Sequence, residues 1–191
     1  MGRVITGPTP AHAPGVRVRD MTPADCDAVA EIRVRGWRHA YAGLVPQAHL
    51  DAMDVARDAE RRRAGLASAG GPLNLVAVAP DATVTGWACH GPCRDRQQVS
   101  PGAAELYALY VDPDRIGTGT GRALLERATA RAVADGFREM TLWVLKENVR
   151  ARRFYERAGF RPDGAEEAVE TGGALVPEVR YVRPLSPPGA G

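Results

Sequence analysis

The sequence predicts a mixed α/β domain, with one mixed sheet and helices on both of its faces. Three observations lead there. Read in order, the chain gives a strand, two helices, three strands, a helix, a strand, a helix and two strands; this is neither a regular βαβ alternation nor an all-β pattern. The run Met140 to Leu145 is almost continuously apolar, as strands buried on both faces are. An apolar strand, Leu106 to Val111, enters an amphipathic helix through Asp112-Pro113-Asp114-Arg115-Ile116-Gly117-Thr118-Gly119-Thr120-Gly121, with glycines at alternate positions.

Each element has its own local reason. Val16 to Arg19 alternates apolar and charged residues, a short first strand. Thr22-Pro23-Ala24-Asp25 opens a helix, with Thr22 as cap and Pro23 at the first helical position. Val29, Ile32, Val34 and Trp37 give that helix its apolar side. Gly43 and Pro46 break the chain, and a second helix is expected over 48–67, followed by a loop from Ser68 to Pro72. Its run Glu60-Arg61-Arg62-Arg63 reads as a solvated face. Leu73 to Val78 and Thr83 to Cys89 are strands about a turn at Pro80-Asp81, and 91–102 is a polar loop. A strand over 105–111 leads to a helix over 121–134, ended by Gly136. After the strand Met140–Leu145, Arg150 to Ala158 is a short helix ended by Gly159. Two strands, 165–171 and 176–184, flank a Thr-Gly-Gly-Ala turn.

At 191 residues, the chain suits a single domain, expected over 16–185 between disordered tails at 1–15 and 186–191. Lysine and arginine number 25 against 23 acids, a net charge of +2, which gives no argument for nucleic acid or membrane binding. Lys146 is the only lysine, which fits the codon bias of a GC-rich, bacterial genome. Three cysteines are too few for a disulfide scaffold, and their odd number fits a reducing cytosol. No secretory signal opens the chain, and no apolar run approaches the roughly 20 residues of a membrane span. A cytoplasmic location is expected.

The glycine loop carries the functional signal. Backbone N–H groups converging at a helix N-terminus bind anions, and glycine permits the close approach. A plain connector would need one or two glycines, not three against a helix start. A P-loop requires Lys-Ser or Lys-Thr after its last glycine, but Arg122-Ala123 follows Gly121. A dinucleotide fingerprint requires its third glycine three residues after the second and an acid ending the next strand. Here the spacing is two, and Glu139 begins its strand. A phosphate-bearing ligand of another kind is left.

The segment 105–125 closely resembles the coenzyme A loop of the GNAT family of N-acetyltransferases. That family is marked by Gln/Arg-x-x-Gly-x-Gly/Ala after a strand ending Val-x-Pro, and Val111, Pro113, Gly119 and Gly121 fit it. Leu142-Trp143-Val144-Leu145, Asn148, Ala151, Phe154-Tyr155 and Ala158-Gly159-Phe160 resemble its second conserved block. Arg19 to Asp25 and Trp37-Arg38-His39-Ala40-Tyr41 resemble its first strand and paired helices, so the likeness spans about 16–185. It implies a mostly antiparallel sheet splayed between two central strands. It also implies an acetyl-CoA cosubstrate, an amine acceptor and no metal, and it allows a homodimer. One departure stands out. Ile116 takes the Gln/Arg position, so backbone N–H groups over Ile116, Gly117, Thr118, Gly119, Thr120, Gly121 and Arg122, helped by Arg115 or the Arg122 side chain, must hold the pyrophosphate. A helix dipole gives about 0.3–2 kcal/mol, and micromolar binding needs about 8. Three or four charge-assisted hydrogen bonds at roughly 1.5–3 kcal/mol each close the gap. The resemblance adds a pantetheine arm lying like a strand against Leu109, Tyr110 and Val111.

By the same resemblance, Tyr155 donates a proton to the leaving thiolate; the alternative is a core aromatic paired with Phe154. A phenol near pKa 10 is protonated at neutral pH and lies about 1.5 units from a thiol. Glu105 matches the position of a general base in histone-type members, or is a strand-end carboxylate paired with an arginine. Acting as base, it needs a raised pKa or a water relay. Asn148 caps its helix, binds pantetheine, or does both. Trp37 and Tyr41 lie four apart on one helical face and either wall the acceptor site or pack the core. Cys89-His90-x-x-Cys93 invites a zinc reading, but two cysteines and one histidine without a second pair fall short of a site. The expected function is direct acetyl transfer from acetyl-CoA to a primary amine of a small molecule, peptide or protein. Its rivals are a non-catalytic acyl-CoA-binding regulatory module and a dinucleotide-dependent enzyme.

Overall fold

The computed structural model describes residues 15–67, 70–94 and 102–185. The predicted tails and most of the polar loop 91–102 lie outside these. Seven strands form one sheet: β1 (Arg17–Asp20), β2 (Leu73–Val78), β3 (Val84–Pro92), β4 (Ala103–Val111), β5 (Glu139–Leu145), β6 (Arg161–Thr171) and β7 (Ala174–Pro184), in the order β1-β2-β3-β4-β5-β7-β6. Every neighbouring pair is antiparallel except β4 and β5. Five helices accompany it: α1 (Cys26–Ala40), α2 (Gln47–Asp51), α3 (Val55–Leu66), α4 (Thr120–Ala134) and α5 (Val149–Arg157).

Strand alternation sorts the core into two layers. Leu75, Ala77, Ala88 and Leu106 turn to one face, with Met140, Leu142, Val144, Val179 and Tyr181, and pack under Leu124, Leu125 and Ala128 of α4 and Tyr155 of α5. Val76, Val78, Trp87 and Cys89 turn to the other, under Cys26 and Val29 of α1. Full burial of a side chain such as Leu124 contributes about 1.5–3 kcal/mol.

The expected single helix over 48–67 is two helices. Arg38 donates to the carbonyls of Leu50 (3.2 Å) and Met53 (3.2 Å), closing the end of α2. Asp54 then accepts from the Arg57 N–H (2.7 Å) and starts α3. Nor is the whole run Glu60 to Arg63 a solvated face. The Arg62 guanidinium lies 3.9 Å above the Trp87 ring and bonds Asp58 at 2.8 Å. Periodicity alone could not separate a charge on the surface from one spread over an aromatic core.

The decisive feature for function is a gap in the sheet. β4 and β5 pair only at Ala103–Glu105 against Glu139–Thr141. From Leu106 onward β4 keeps β3 on one side and, among the described residues, has no strand on the other.

Candidate active site

The gap opens into a cleft of about 1730 Å³. That exceeds the roughly 300–1000 Å³ of ordinary small-ligand pockets and suits a long ligand. One wall is β4 from Glu105 to Val111, and the other is Trp143–Leu145 of β5 with α5. Trp37 and Tyr41 stand at the end of α1, and Glu167 and Glu178 of the β6–β7 hairpin complete the enclosure.

At one end lies the glycine loop. Asp112 accepts from the Asp114 N–H (3.1 Å) and fixes a tight turn over Pro113–Arg115. Gly117 and Gly119 adopt φ of +87° and +90°, a left-handed backbone that a side chain disfavours. Gly119 caps α4, and the first helical bond runs from the Ala123 N–H to the Gly119 carbonyl (3.0 Å). The N–H groups of Thr120, Gly121 and Arg122 therefore have no intrahelical acceptor. A Cβ at Gly121 would stand 3.3 Å from Val111 and 3.6 Å from Phe154, filling the cradle. These observations fit a pyrophosphate at the loop. Ile116, Gly117, Gly119, Gly121 and Arg122 line the cleft, whereas the Thr118 and Thr120 hydroxyls face each other at 3.0 Å. Arg122 pairs with Glu126 at 2.7 Å, while Arg115 lines the cleft free of an ion pair among the described residues.

Midway, Leu109, Tyr110 and Val111 present the free edge of β4. Asn148 accepts from the Ala151 N–H (3.1 Å), so it caps α5 while also bordering the cleft. Two turns on, Tyr155 is 9% exposed and its hydroxyl makes no hydrogen bond among the described residues. Its ring packs edge-on to Phe154 (5.1 Å) and Phe160 (6.0 Å), leaving the hydroxyl to the cleft. Burial, and then the neighbouring Tyr110, push its proton affinity well above that of a free phenol.

At the far end, Glu105 is only 3% exposed and is held by Arg94. The Arg94 N–H donates to it at 3.0 Å, its Nε lies 3.2 Å from both oxygens, and its Nη2 also bonds it. The guanidinium lies 4.4 Å above the Tyr107 ring. Tyr41 meets Trp37 edge-on at 4.8 Å. Its hydroxyl affinity rises through burial first, then through Tyr110, Tyr155 and Glu178. Tyr110 stacks on Trp87 at 6.0 Å, and Gly36 lets it approach α1, since a Cβ there would stand 3.1 Å from the ring.

Glu178 was not predicted; for Glu105, the alternative of a strand-end carboxylate paired with an arginine is the arrangement found, with Arg94 as the partner. The setting of Glu178 depends on pairings between strands distant in the chain, whereas Arg94 reaches Glu105 across the adjacent strands β3 and β4. Glu178 faces Leu145 on one side and Glu167 on the other only through the β5–β7 and β6–β7 register. Cys89, His90 and Cys93 do not converge. Cys89 turns to the α1 face, His90 senses Asp135 and Arg131 on and beside α4, and the Cys93 sulfur lies 3.7 Å from the Thr141 hydroxyl.

Residues 34–160 match the family model of the acetyltransferase (GNAT) family. An uncharacterised N-acetyltransferase of Bacillus subtilis is 30% identical over 167 residues, covering 86% of this chain and 90% of its own. The mycothiol acetyltransferase of Beutenbergia cavernae is 48% identical over 58 residues, which are 30% of this chain and 20% of that protein. Among solved structures, a phosphinothricin acetyltransferase from Sinorhizobium meliloti in complex with acetyl-CoA superposes with a TM-score of 0.68. It is 23% identical and covers 92% of this chain and 91% of its own.

Proposed function

We propose, from the premise that this chain belongs to the acetyltransferase (GNAT) family, that it moves an acetyl group from acetyl-CoA directly to a primary amine in the cytoplasm. The observation that carries this reading is Tyr155. It is a buried residue whose hydroxyl has no partner among the described residues and opens into the gap opposite the free edge of β4. A phenol hydroxyl that opens to the cleft, with no acceptor among the described residues, is suited to meet a ligand atom.

The residues divide the work along the cleft. Thr120, Gly121 and Arg122 donate backbone N–H groups to the pyrophosphate, with Arg115 beside them. Leu109, Tyr110 and Val111 bond the pantetheine arm as an added strand, with Asn148 opposite. The bound cosubstrate supplies an acetyl thioester. A β4 N–H near Tyr110–Val111 polarises the thioester carbonyl, as an oxyanion site does. Tyr155 gives its proton to the departing sulfur. Trp37 and Tyr41 wall the acceptor. Glu105 takes the amine proton only if Arg94 releases it, or through water.

Thiol release from acetyl-CoA, followed across a panel of alkyl amines, amino sugars and peptide N-termini, tests the assignment. Turnover with at least one amine class is expected. Tight acetyl-CoA binding without turnover on any amine would instead make the chain a binding module.

A further inference from the structure

We propose that Glu178 receives the acceptor's ammonium group and takes its proton. This rests on the transferase reading above and identifies the acceptor as a cationic amine. The observations are geometric. Glu178 lines the cleft, half-buried, and makes no hydrogen bond or ion pair among the described residues. Of the other carboxylates lining the cleft, Glu105 is sealed by three groups of Arg94, Glu126 is paired with Arg122, and Glu167 is exposed. Glu178 stands opposite Leu145, the last residue of the β5 wall, so it faces the gap itself. Glu167 on β6 stands beside it in register, and Glu105 on β4, Arg94 after β3 and Tyr41 after α1 line the same cleft. Tyr41, Tyr155 and Glu178 all line this one cleft.

The charge pattern gives the substrate class. Glu178 and Glu167 form no ion pair among the described residues, and Arg94 is already committed to Glu105. A cation is attracted there, and an acceptor with a carboxylate beside its amine is repelled. Burial, and then Glu167, raise the proton affinity of Glu178, with Arg94 opposing and Glu105 adding. A carboxylate of raised affinity is a better proton acceptor than a solvated one.

The step balances. The ammonium passes one proton to Glu178, and the neutral nitrogen uses its lone pair to form the C–N bond. The C–S bond breaks with its electron pair on sulfur, which takes the Tyr155 proton. Tyr155 regains a proton from the new amide nitrogen, and Glu178 releases its own to water.

The test uses the full chain with 13C-labelled glutamate and n-butylammonium as a bare ammonium probe. Glu178→Gln assigns the Glu178 carboxyl signal. That signal should titrate above ordinary glutamates and shift on amine addition, and Glu178→Gln should weaken amine binding at least tenfold. In thiol release from acetyl-CoA with n-butylamine, Glu178→Gln should lower kcat/KM by about 10²-fold near neutrality. The loss should shrink as pH nears the amine's own pKa, about 10.4, because solution then supplies neutral amine. A purely structural role would not give that recovery. Glu178→Asp, which keeps the charge, should retain part of the activity. A Glu178 signal indifferent to the amine, or a Glu178→Gln variant with wild-type amine affinity, overturns the proposal. Failure of acetyl-CoA to bind would overturn the transferase reading instead and leaves the carboxyl titration standing on its own.

Discussion

Tyr155→Phe separates function from stability at one atom. The ring keeps its packing against Phe154 and Phe160, so no cavity forms. The lost hydroxyl has no partner among the described residues and sits on a 9%-exposed residue. Burying an unsatisfied hydroxyl costs about 1–3 kcal/mol in protein mutational data. Part of that cost is relieved at the cleft, so the variant should be neutral or more stable by up to about 1 kcal/mol. In a domain of this size, 1 kcal/mol moves Tm by about 2–4 °C. Losing the proton donor should lower kcat by about 10²–10⁴ with little change in acetyl-CoA affinity. The phenol's raised affinity keeps it neutral through the pH range of assay, so the basic limb of the wild-type profile should not belong to Tyr155. Melting curves and saturating thiol-release rates on the purified variant decide the matter. An unchanged kcat would remove Tyr155 from the chemistry, and a Tm lowered by several degrees would show the hydroxyl to be structural.

Two further outcomes concern the frame around the cleft. Asp25 is held at about 2 by the Arg19 guanidinium, aided by the Thr22 N–H and hydroxyl and opposed by burial. A lowered carboxyl stabilises the fold above its unfolded value near 4, and that stabilisation is lost as pH falls towards 2, so Asp25→Asn should cost about 2 kcal/mol at pH 7. Urea unfolding should show the gap closing below pH 4, and an equal gap at pH 3 would contradict the ion pair's role. At Gly86, a Cβ would stand 2.9 Å from Leu124, 3.1 Å from Thr120 and 3.1 Å from the Tyr110 carbonyl. Gly86→Ala should therefore cost about 1–3 kcal/mol and weaken acetyl-CoA binding by displacing the start of α4; wild-type values for both would show that α4 does not need this close approach.

The strands, the glycine loop and the terminal hairpin were legible because each is written in a short window. An apolar run marks β2, and Gly117 and Gly119 sit where the backbone must turn left-handed. The break between α2 and α3 was not legible, because Arg38 supplies the cap from 12 and 15 residues away. At the site, Asn148 as cap and Tyr155 two turns later follow from local sequence. The Arg94 contact with Glu105 and the exposure of Glu178 to the gap do not. They depend on which strands lie side by side and on where β4 and β5 part.

The central claim is that the loop from Ile116 to Arg122 grips an acyl-CoA through its backbone. Calorimetric titration of acetyl-CoA into the wild-type chain and into Gly121→Trp tests it most directly. A Cβ at Gly121 already stands 3.3 Å from Val111, so an indole must occupy the cradle. The account predicts saturable binding to the wild type and none to the variant. No heat from the wild type at millimolar acetyl-CoA, or normal binding by Gly121→Trp, would contradict it.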